Sequence, residues 1–347
     1  MAYVPYAGGE LPNVVNVTKR MDPDGSVATI AELLAQTNPI LMDIPMIEGN
    51  LPVGHRTTVR SDIPEAQLRM LNYGTRPTKS KTIQVDDATC MIEDWAEVDK
   101  DLAMLNGNTA EFRLSENTAH IEGMSNKASD LLFYGDSISD PKSMMGIAPR
   151  YGTLTQTAGI PDGKPTAIKN SIYLPNIINN GGTGSTLTSI YYIVWGPNTA
   201  HGIYPKGSVA GLIDEDLGLV TLKDNDGGRF RGYQSHYQWK MGLTVRDWRY
   251  ISRLCNIDLS SLLSTPSEMI TLYQNMIKMM HAIPQGGRSR GVFYCGAAVS
   301  AALDLAANDK ANAALGMTEV FGEEVLAFRR RPIRECDSIL ETETQVT

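Results

Sequence analysis

The sequence predicts an α+β protein, on three observations. A single long amphipathic helical stretch, Asn108–Tyr134, runs without a proline. β-branched and alternating segments bounded by turn signals lie on both sides of it, and the last third alternates helical with strand patterns. Composition agrees: of 347 residues 42% are hydrophobic and 20% charged, while 31 Gly and 18 Pro supply many turns.

Taken in order, residues 1 to about 45 carry scattered apolar residues, the turn signal MDPDG and one short helical pattern at Ser26–Gln36. Too sparse for a core, this segment reads as an arm that packs on another surface. His55–Ser61 (HRTTVRS) and Ser80–Asp87 (SKTIQVDD) read as two strands of a long projection with an open tip. Between Arg56 and Lys81 stand six basic residues (Arg56, Arg60, Arg69, Arg76, Lys79, Lys81) against Asp62 and Glu65, a local +4 in a chain of net charge −8. A two-stranded ribbon is marginal alone in water. One opposite in charge to the rest of its own molecule suggests docking on a neighbouring copy, and an ordinary solvated hairpin is the other reading that charge alone allows.

In the long helix Leu114, Ile121 and Ala128 recur at seven, with Met124 and Leu131 on the same face; Asn108 or Thr109 can cap its start. The middle alternates strands and turns: SIYYIVWG, GLVTLKDNDGGRFRG, then the long YQSHYQWKMGLTVRDWRYISRLCNID. Towards the end, PSEMITLYQNMIKMMHAIP and AAVSAALDLAAND read as helices, RGVFYCG as a strand and EEVLAFRRRPIRECDSIL as a final strand broken by Pro332.

The acidic balance argues against a general nucleic-acid binder, because such proteins draw most of their affinity from phosphate contacts. Cys90, Cys255, Cys295 and Cys336 are far apart with no C-x-x-C pair, and read as reduced, buried thiols. No secretory signal pattern and no spanning apolar run are read, so synthesis in the cytosol is expected.

The stretch FYGDSIS (Phe133–Ser139) carries the Gly-Asp-Ser of GDS-type esterases, which would make Ser137 a nucleophile. That chemistry needs a serine after a strand and a histidine base, usually in an Asp-x-x-His block. Gly135 instead follows a helical pattern, where a left-handed C′ glycine is expected, and no histidine has an aspartate three residues before it. Ser137 is then expected to bond nearby backbone. Asn179–Thr186 (NNGGTGST) lacks the Lys-Ser/Thr of a phosphate loop, and Asp224–Gly228 (DNDGG) lacks the bidentate Glu of a calcium loop. His120 has no partner at four-residue spacing. FRRRPIR (Phe328–Arg334) packs four arginines into seven positions and suits an intersubunit patch facing acidic surface, or phosphate. No catalytic, cofactor or metal site is read.

Several blocks carry a resemblance. WAEVDKDLAMLNGNTAEFRLSENTAHIEGMSNKASDLLFYGD followed by DPKSMMGIAPRYG, then HYQWKMGLTVRDWRYISRLCNID, RGVFYCG and FRRRPIRECDSILETET, resemble the major capsid proteins of short-tailed phages of the Bordetella phage type. These have the Hong Kong 97 type fold. The resemblance spans most of residues 40–347, with one departure: Arg330 and Arg331 stand where a glycine is expected before Pro332.

The resemblance implies an N-terminal arm (1–50), an E-loop (51–88), a peripheral domain (89–255) with spine helix 108–134, an axial domain (256–335) and a C-terminal return (336–347). It further implies a shell subunit of a tailed-phage virion without catalysis or cofactor, self-assembling as hexamers and pentamers into an icosahedral head around double-stranded DNA. Scaffold, portal and cement proteins would be partners, with weak nonspecific DNA contact and no membrane. Intersubunit contacts are expected at Arg56, Arg60, Arg69, Arg76, Lys79, Lys81, Arg329, Arg330 and Arg331.

Overall fold

A computed structural model describes residues 38–105, 109–154, 176–223, 227–262, 266–307, 315–320 and 323–347. The helical pattern expected at Ser26–Gln36 lies outside them. In chain order the main elements are β1 (Met46–Glu48), β2 (Gly54–Asp62), β3 (Lys81–Asp99), α1 (Thr109–Tyr134), β4 (Ile177–Asn179), β5 (Leu187–Ile193), β6 (Ala200–Tyr204), β7 (Leu212–Lys223) and β8 (Arg229–Val245). They continue with β9 (Ile251–Asp258), α2 (Pro266–Ala282), β10 (Val292–Cys295), α3 (Ala297–Ala307), β11 (Leu315–Val320), β12 (Glu323–Phe328) and β13 (Arg331–Glu335). The chain divides into two compact units.

The first unit holds Met91–Ala128 and Gly211–Lys240. Here β7 and β8 pair antiparallel from Leu212↔Trp239 to Lys223↔Arg229, with a bulge between Asp216 and Gly218. Gly218 takes φ +67° there, a conformation that costs glycine nothing. The Arg113 guanidinium holds Asp216 at the bulge, at 2.6 Å. Alternation along β3 buries Ala96 and Val98 and exposes Met91 and Trp95, as a half-buried strand requires. Ala96, Met124 and Tyr237 form one apolar cluster, and Val98, Leu102, Ala103 and Phe112 another. Gly232 leaves room for this packing, since a Cβ would come 2.7 Å from the Val98 carbonyl oxygen.

Two expectations are corrected in this unit. The helix runs nearly as read, but its buried line is Phe112, Glu116, Met124 and Ala128, while Leu114 and Ile121 are exposed. A line that advances by fours turns about 40° per step around a 3.6-residue helix, so the buried face winds from Phe112 and Glu116 to Met124 and Ala128 and leaves the heptad line through Leu114 and Ile121 outside it. At its start the Thr109 hydroxyl donates to the Ala103 carbonyl at 3.3 Å, and Asn108, the other expected cap, lies outside the described residues. The second strand of the projection is also longer than Ser80–Asp87: β3 continues through 19 residues to Asp99.

The second unit holds residues 38–90, 129–210 and 241–347. A seven-stranded sheet takes the order β11-β12-β13-β10-β5-β9-β4. Its central strands β5 and β9 are buried almost throughout, which explains their near-continuous apolar runs. The core joins Ile190, Tyr192, Leu254 and Phe293 of the sheet to Leu272, Met276 and Met279 of α2 and Val299 and Leu303 of α3. In this unit too β2 pairs with β3 in antiparallel register, from Gly54↔Ala88 to Asp62↔Lys81. Parallel pairing joins β1 to β6.

The final strand is not broken at Pro332. β12 and β13 form a hairpin in which Phe328 faces Arg331, and the turn is Arg329–Arg330, at φ +50° and +65°. All four cysteines are buried free thiols. Burial pushes Cys90 and Cys255 up to about 11 and Cys336 to about 12, so they are unreactive protonated thiols near neutral pH.

Candidate functional site

The Gly-Asp-Ser stretch is a helix exit. Gly135 N–H closes the last turn of α1 on the Leu131 carbonyl at 3.0 Å, and the Gly135 carbonyl accepts from Gly146 N–H at 2.7 Å. Gly135 is not left-handed, contrary to expectation. It is glycine because a Cβ would stand 2.5 Å from the Leu131 oxygen and 2.6 Å from the Met144 oxygen. Asp136 makes the local bonds, accepting from Ile138 N–H at 2.9 Å and from the Ser139 hydroxyl at 2.5 Å. Those bonds hold its carboxyl below the usual range. The Ser137 hydroxyl has no hydrogen-bond partner among the described residues, so the expected bond to nearby backbone is absent there.

Histidines are occupied elsewhere. His120 Nδ1 meets Asp94 Oδ2 at 2.6 Å, a partner drawn from β3 that helical spacing could not reveal. His236 stacks on Trp95 with ring centroids 4.1 Å apart. His55 and His201 meet edge to face at 5.9 Å.

The predicted contact residues fall into two places in the second unit. β2 and the start of β3 form the stem of a hairpin, and residues 63–80 form its loop. Arg56 and Asp86 stand directly opposite in the stem and pair through two bonds of 2.6 Å each. Hydrogen bonding to Arg56 depresses the Asp86 carboxyl. Asn50 covers the outer edge at the same point, donating to the Arg56 carbonyl at 2.8 Å and accepting its N–H at 2.7 Å. Lys81 lies 3.8 Å from Asp62. Arg56 and Lys81 thus each have an acidic neighbour within their own hairpin.

The loop is different. Every residue from Ile63 to Ser80 is exposed, and Ile63, Leu68, Met70, Leu71 and Tyr73 are each at least 70% so. Arg69 Nε donates to the Tyr73 carbonyl at 2.8 Å, while Arg60, Arg76 and Lys79 make no ion pair among the described residues. Five large apolar side chains and cations without an ion pair among the described residues stand together on one projection, an exposed apolar content unusual for a surface. The sequence reading found the charge and missed this apolar content.

The second place is the turn after β12. Arg329 and Arg330 are exposed at its tip. Arg331 belongs to β13 and is half-buried, donating to the Arg288 carbonyl at 3.2 Å and to the Arg330 carbonyl at 3.1 Å. The arginine run is thus split between a tip and a strand.

Sequence reading also missed two buried ion pairs. Arg150 reaches Asp87 at 2.7 Å, and Arg253 reaches Glu343 at 2.9 Å. An arginine inside the apolar strand ISRLCNID was the available signal for the second. Among the described residues, no helix is long and apolar enough to cross a membrane.

Among curated protein sequences none matches. A chain from the near-atomic structure of bacteriophage Epsilon15 is 35% identical over 100% of this chain and 99% of its own, with TM-score 0.70. A chain of the bacteriophage JBD30 capsid aligns over 90% of this chain and 95% of its own, at 9% identity and TM-score 0.49. The α+β fold is the Hong Kong 97 capsid type. The family model described as major capsid protein GP7 matches residues 22–347, and with the full-length likeness to the Epsilon15 chain this places the protein in the GP7 family of phage major capsid proteins.

Proposed function

We propose that this capsid subunit works as an assembly protein without catalysis. Copies are made in the host cytoplasm and associate as hexamers and pentamers into an icosahedral head around double-stranded DNA. Residues 1–50 act as an arm, 51–88 as the E-loop, 89–255 and 256–335 as peripheral and axial domains, and 336–347 as the returning tail. The loop 63–80 docks on a neighbouring copy, with Arg60, Arg69, Arg76 and Lys79 facing its acidic surface; Arg56 and Lys81 hold the stem that carries it. Scaffold and portal proteins guide assembly, a cement protein can reinforce the shell, and DNA is touched weakly.

One observation carries this reading: the wholly exposed apolar and basic loop on a paired stem. Hundreds of such weak contacts sum through avidity. Replacing residues 63–80 by a two-residue turn tests it, since the stem remains closed by Arg56 and Asp86. The expected product is a folded, soluble subunit that forms no stable shells by electron microscopy. Shells at wild-type yield would overturn the docking role.

A further inference from the structure

β2 is an edge strand: among the described residues it pairs with β3 alone. Asn50 marks its outer edge, because its side-chain amide takes both backbone bonds of Arg56 as a neighbouring strand would. In an antiparallel ladder alternate residues turn their N–H and C=O to the same side. Thr58 and Arg60 therefore aim theirs where Arg56 does, and no described residue bonds to them there.

A cleft of about 440 Å³ runs along this edge. One wall is the unbroken run Thr57–Ile63, with residues from both faces of β2, which a cleft touches together only from the side of the strand. The other wall is Asn198 with Arg246–Arg249, from the corner between β8 and β9. Charge in the cleft is uneven. Asp247 is held by the Arg249 guanidinium through bonds of 2.9 and 2.7 Å, and Asp62 lies 3.8 Å from Lys81. Among the described residues Arg246 donates to the Pro197 carbonyl at 3.2 Å and to Asn198 Oδ1 at 3.3 Å, Arg60 makes no side-chain bond, and neither forms an ion pair. Both are exposed.

An open strand edge flanked by two exposed, uncompensated arginines is a slot for an extended acidic segment, held by backbone bonds along the edge and by charge at its walls. A second β2 does not suit it. Antiparallel pairing centred on Thr58 sets Arg56 opposite Arg60, and pairing centred on Arg60 sets that arginine opposite itself, both of them like-charge pairs.

β7 carries the complementary charge on a second open edge. Among the described residues it pairs with β8 alone, and Asp214, Glu215 and Asp216 stand exposed in succession along it. Asp216 is held by Arg113, whereas Asp214 and Glu215 form no ion pair among the described residues. We infer that the β7 edge of one copy enters the cleft beside β2 of the next copy as an added strand, bringing Asp214 and Glu215 to Arg60 and Arg246. The contact is head to tail, of the kind that closes rings. It rests on the capsid-assembly reading above and names the acidic surface that Arg60 faces.

The test is a charge swap and a proline in the full-length chain. Arg60→Glu should lower shell yield by about tenfold or more at moderate salt, with the subunit's unfolding midpoint unchanged because the side chain is exposed. Asp214→Arg with Glu215→Arg should do the same, and the three changes together should restore shells. Thr58→Pro alters no charge and removes one N–H that points away from β3, a change that edge strands tolerate; the folded subunit should assemble as poorly as Arg60→Glu. Wild-type yield from the folded Thr58→Pro subunit, or no recovery in the triple variant, overturns the added strand. Should Thr58→Pro not fold, the charge swap decides alone. Arg60→Glu shells that form at wild-type yield but lose affinity for double-stranded DNA assign the cleft to phosphate and overturn the contact as well. Shells lost on removal of loop 63–80 but kept in the Asp214 and Glu215 variant would sink this contact alone and leave the assembly reading standing.

Discussion

Arg253 on β9 and Glu343 in the C-terminal tail form an ion pair 2.9 Å apart, with each side chain only 5% exposed. Both carboxylate oxygens and all three guanidinium nitrogens are bonded. Arg253 also donates to Ser189 and to the Ala148 and Tyr151 carbonyls, and Glu343 accepts from the Tyr134 hydroxyl at 2.6 Å and from Ser189. The end of α1, strand β5 and the tail therefore meet at one carboxylate.

Removing one partner of such a pair strands a buried charge, which costs roughly 3–5 kcal/mol. Glu343→Ala and Arg253→Met are each expected to lower the unfolding free energy by that amount, read from urea denaturation curves. The double variant Arg253→Met with Glu343→Leu should recover most of the loss, because no charge is left behind. Additive losses in the double variant would mean that the two side chains act independently.

Acid should loosen the second unit through His201. Burial first, then nearby His55 and Arg246, push its imidazole down to about 4, opposed by the Gly196 carbonyl and Asp87. The unfolded chain takes up this proton near pH 6.5, whereas the folded chain resists until about 4. Stability from this group is thus intact above 6.5, falls as pH drops towards 4 and is level below, a loss on the order of 2–3 kcal/mol. The surroundings are Asp87, already bonded to Arg150, together with Arg246 and His55. Urea midpoints of wild type and His201→Gln at pH 7 and pH 4.5 measure the effect. Wild type should lose more than the variant, and parallel curves would refute the assignment.

At the exit of α1 the serine and the aspartate should part company. Asp136→Ala removes bonds to Ile138 N–H and the Ser139 hydroxyl and should cost about 1 kcal/mol. Ser137→Ala should change stability by less than about 0.5 kcal/mol and abolish no ester turnover. Gly135→Ala should be worse than either, since its Cβ meets two carbonyl oxygens of rigid backbone. Thermal unfolding of the three variants ranks them, and a Ser137 variant more damaged than the Asp136 variant would contradict the geometry.

Much of the fold was legible because its elements carry strong local periodicity: α1, α2, α3 and the apolar runs of β5 and β10 lie close to where pattern places them. What local pattern could not supply was the partner. Leu114 and Ile121 satisfy a heptad reading, yet Phe112 and Met124 are buried because the sheet of the first unit lies on their side of the helix. β3 outruns its predicted end because no turn residue marks the passage from Asp87 to Asp99. Charge disclosed the projecting loop, whereas exposure of its five apolar side chains is a tertiary fact. The contact of Arg331 Nε with the Arg288 carbonyl gave no sign in sequence, since parallel pairing of β10 and β13 brings those segments together.

The turn between β12 and β13 sets stability against association. Two-residue hairpin turns with both φ values positive favour Asn-Gly, because glycine has no Cβ to clash and asparagine tolerates the left-handed region. Arg329 and Arg330 hold φ +50° and +65° at a cost that Asn-Gly would not incur. Arg329→Asn with Arg330→Gly should therefore raise the isolated subunit's stability by about 1 kcal/mol, read as a higher unfolding temperature. The same variant loses both exposed arginines of the tip, predicted intersubunit contacts, so its shells should form less readily and dissociate at lower salt than wild type. Both arms come from one purified protein. A more stable subunit with weaker shells means the arginines are kept for contact; one that is no more stable shows that the turn carries no strain, and one that assembles as well as wild type shows that the tip is not at the interface.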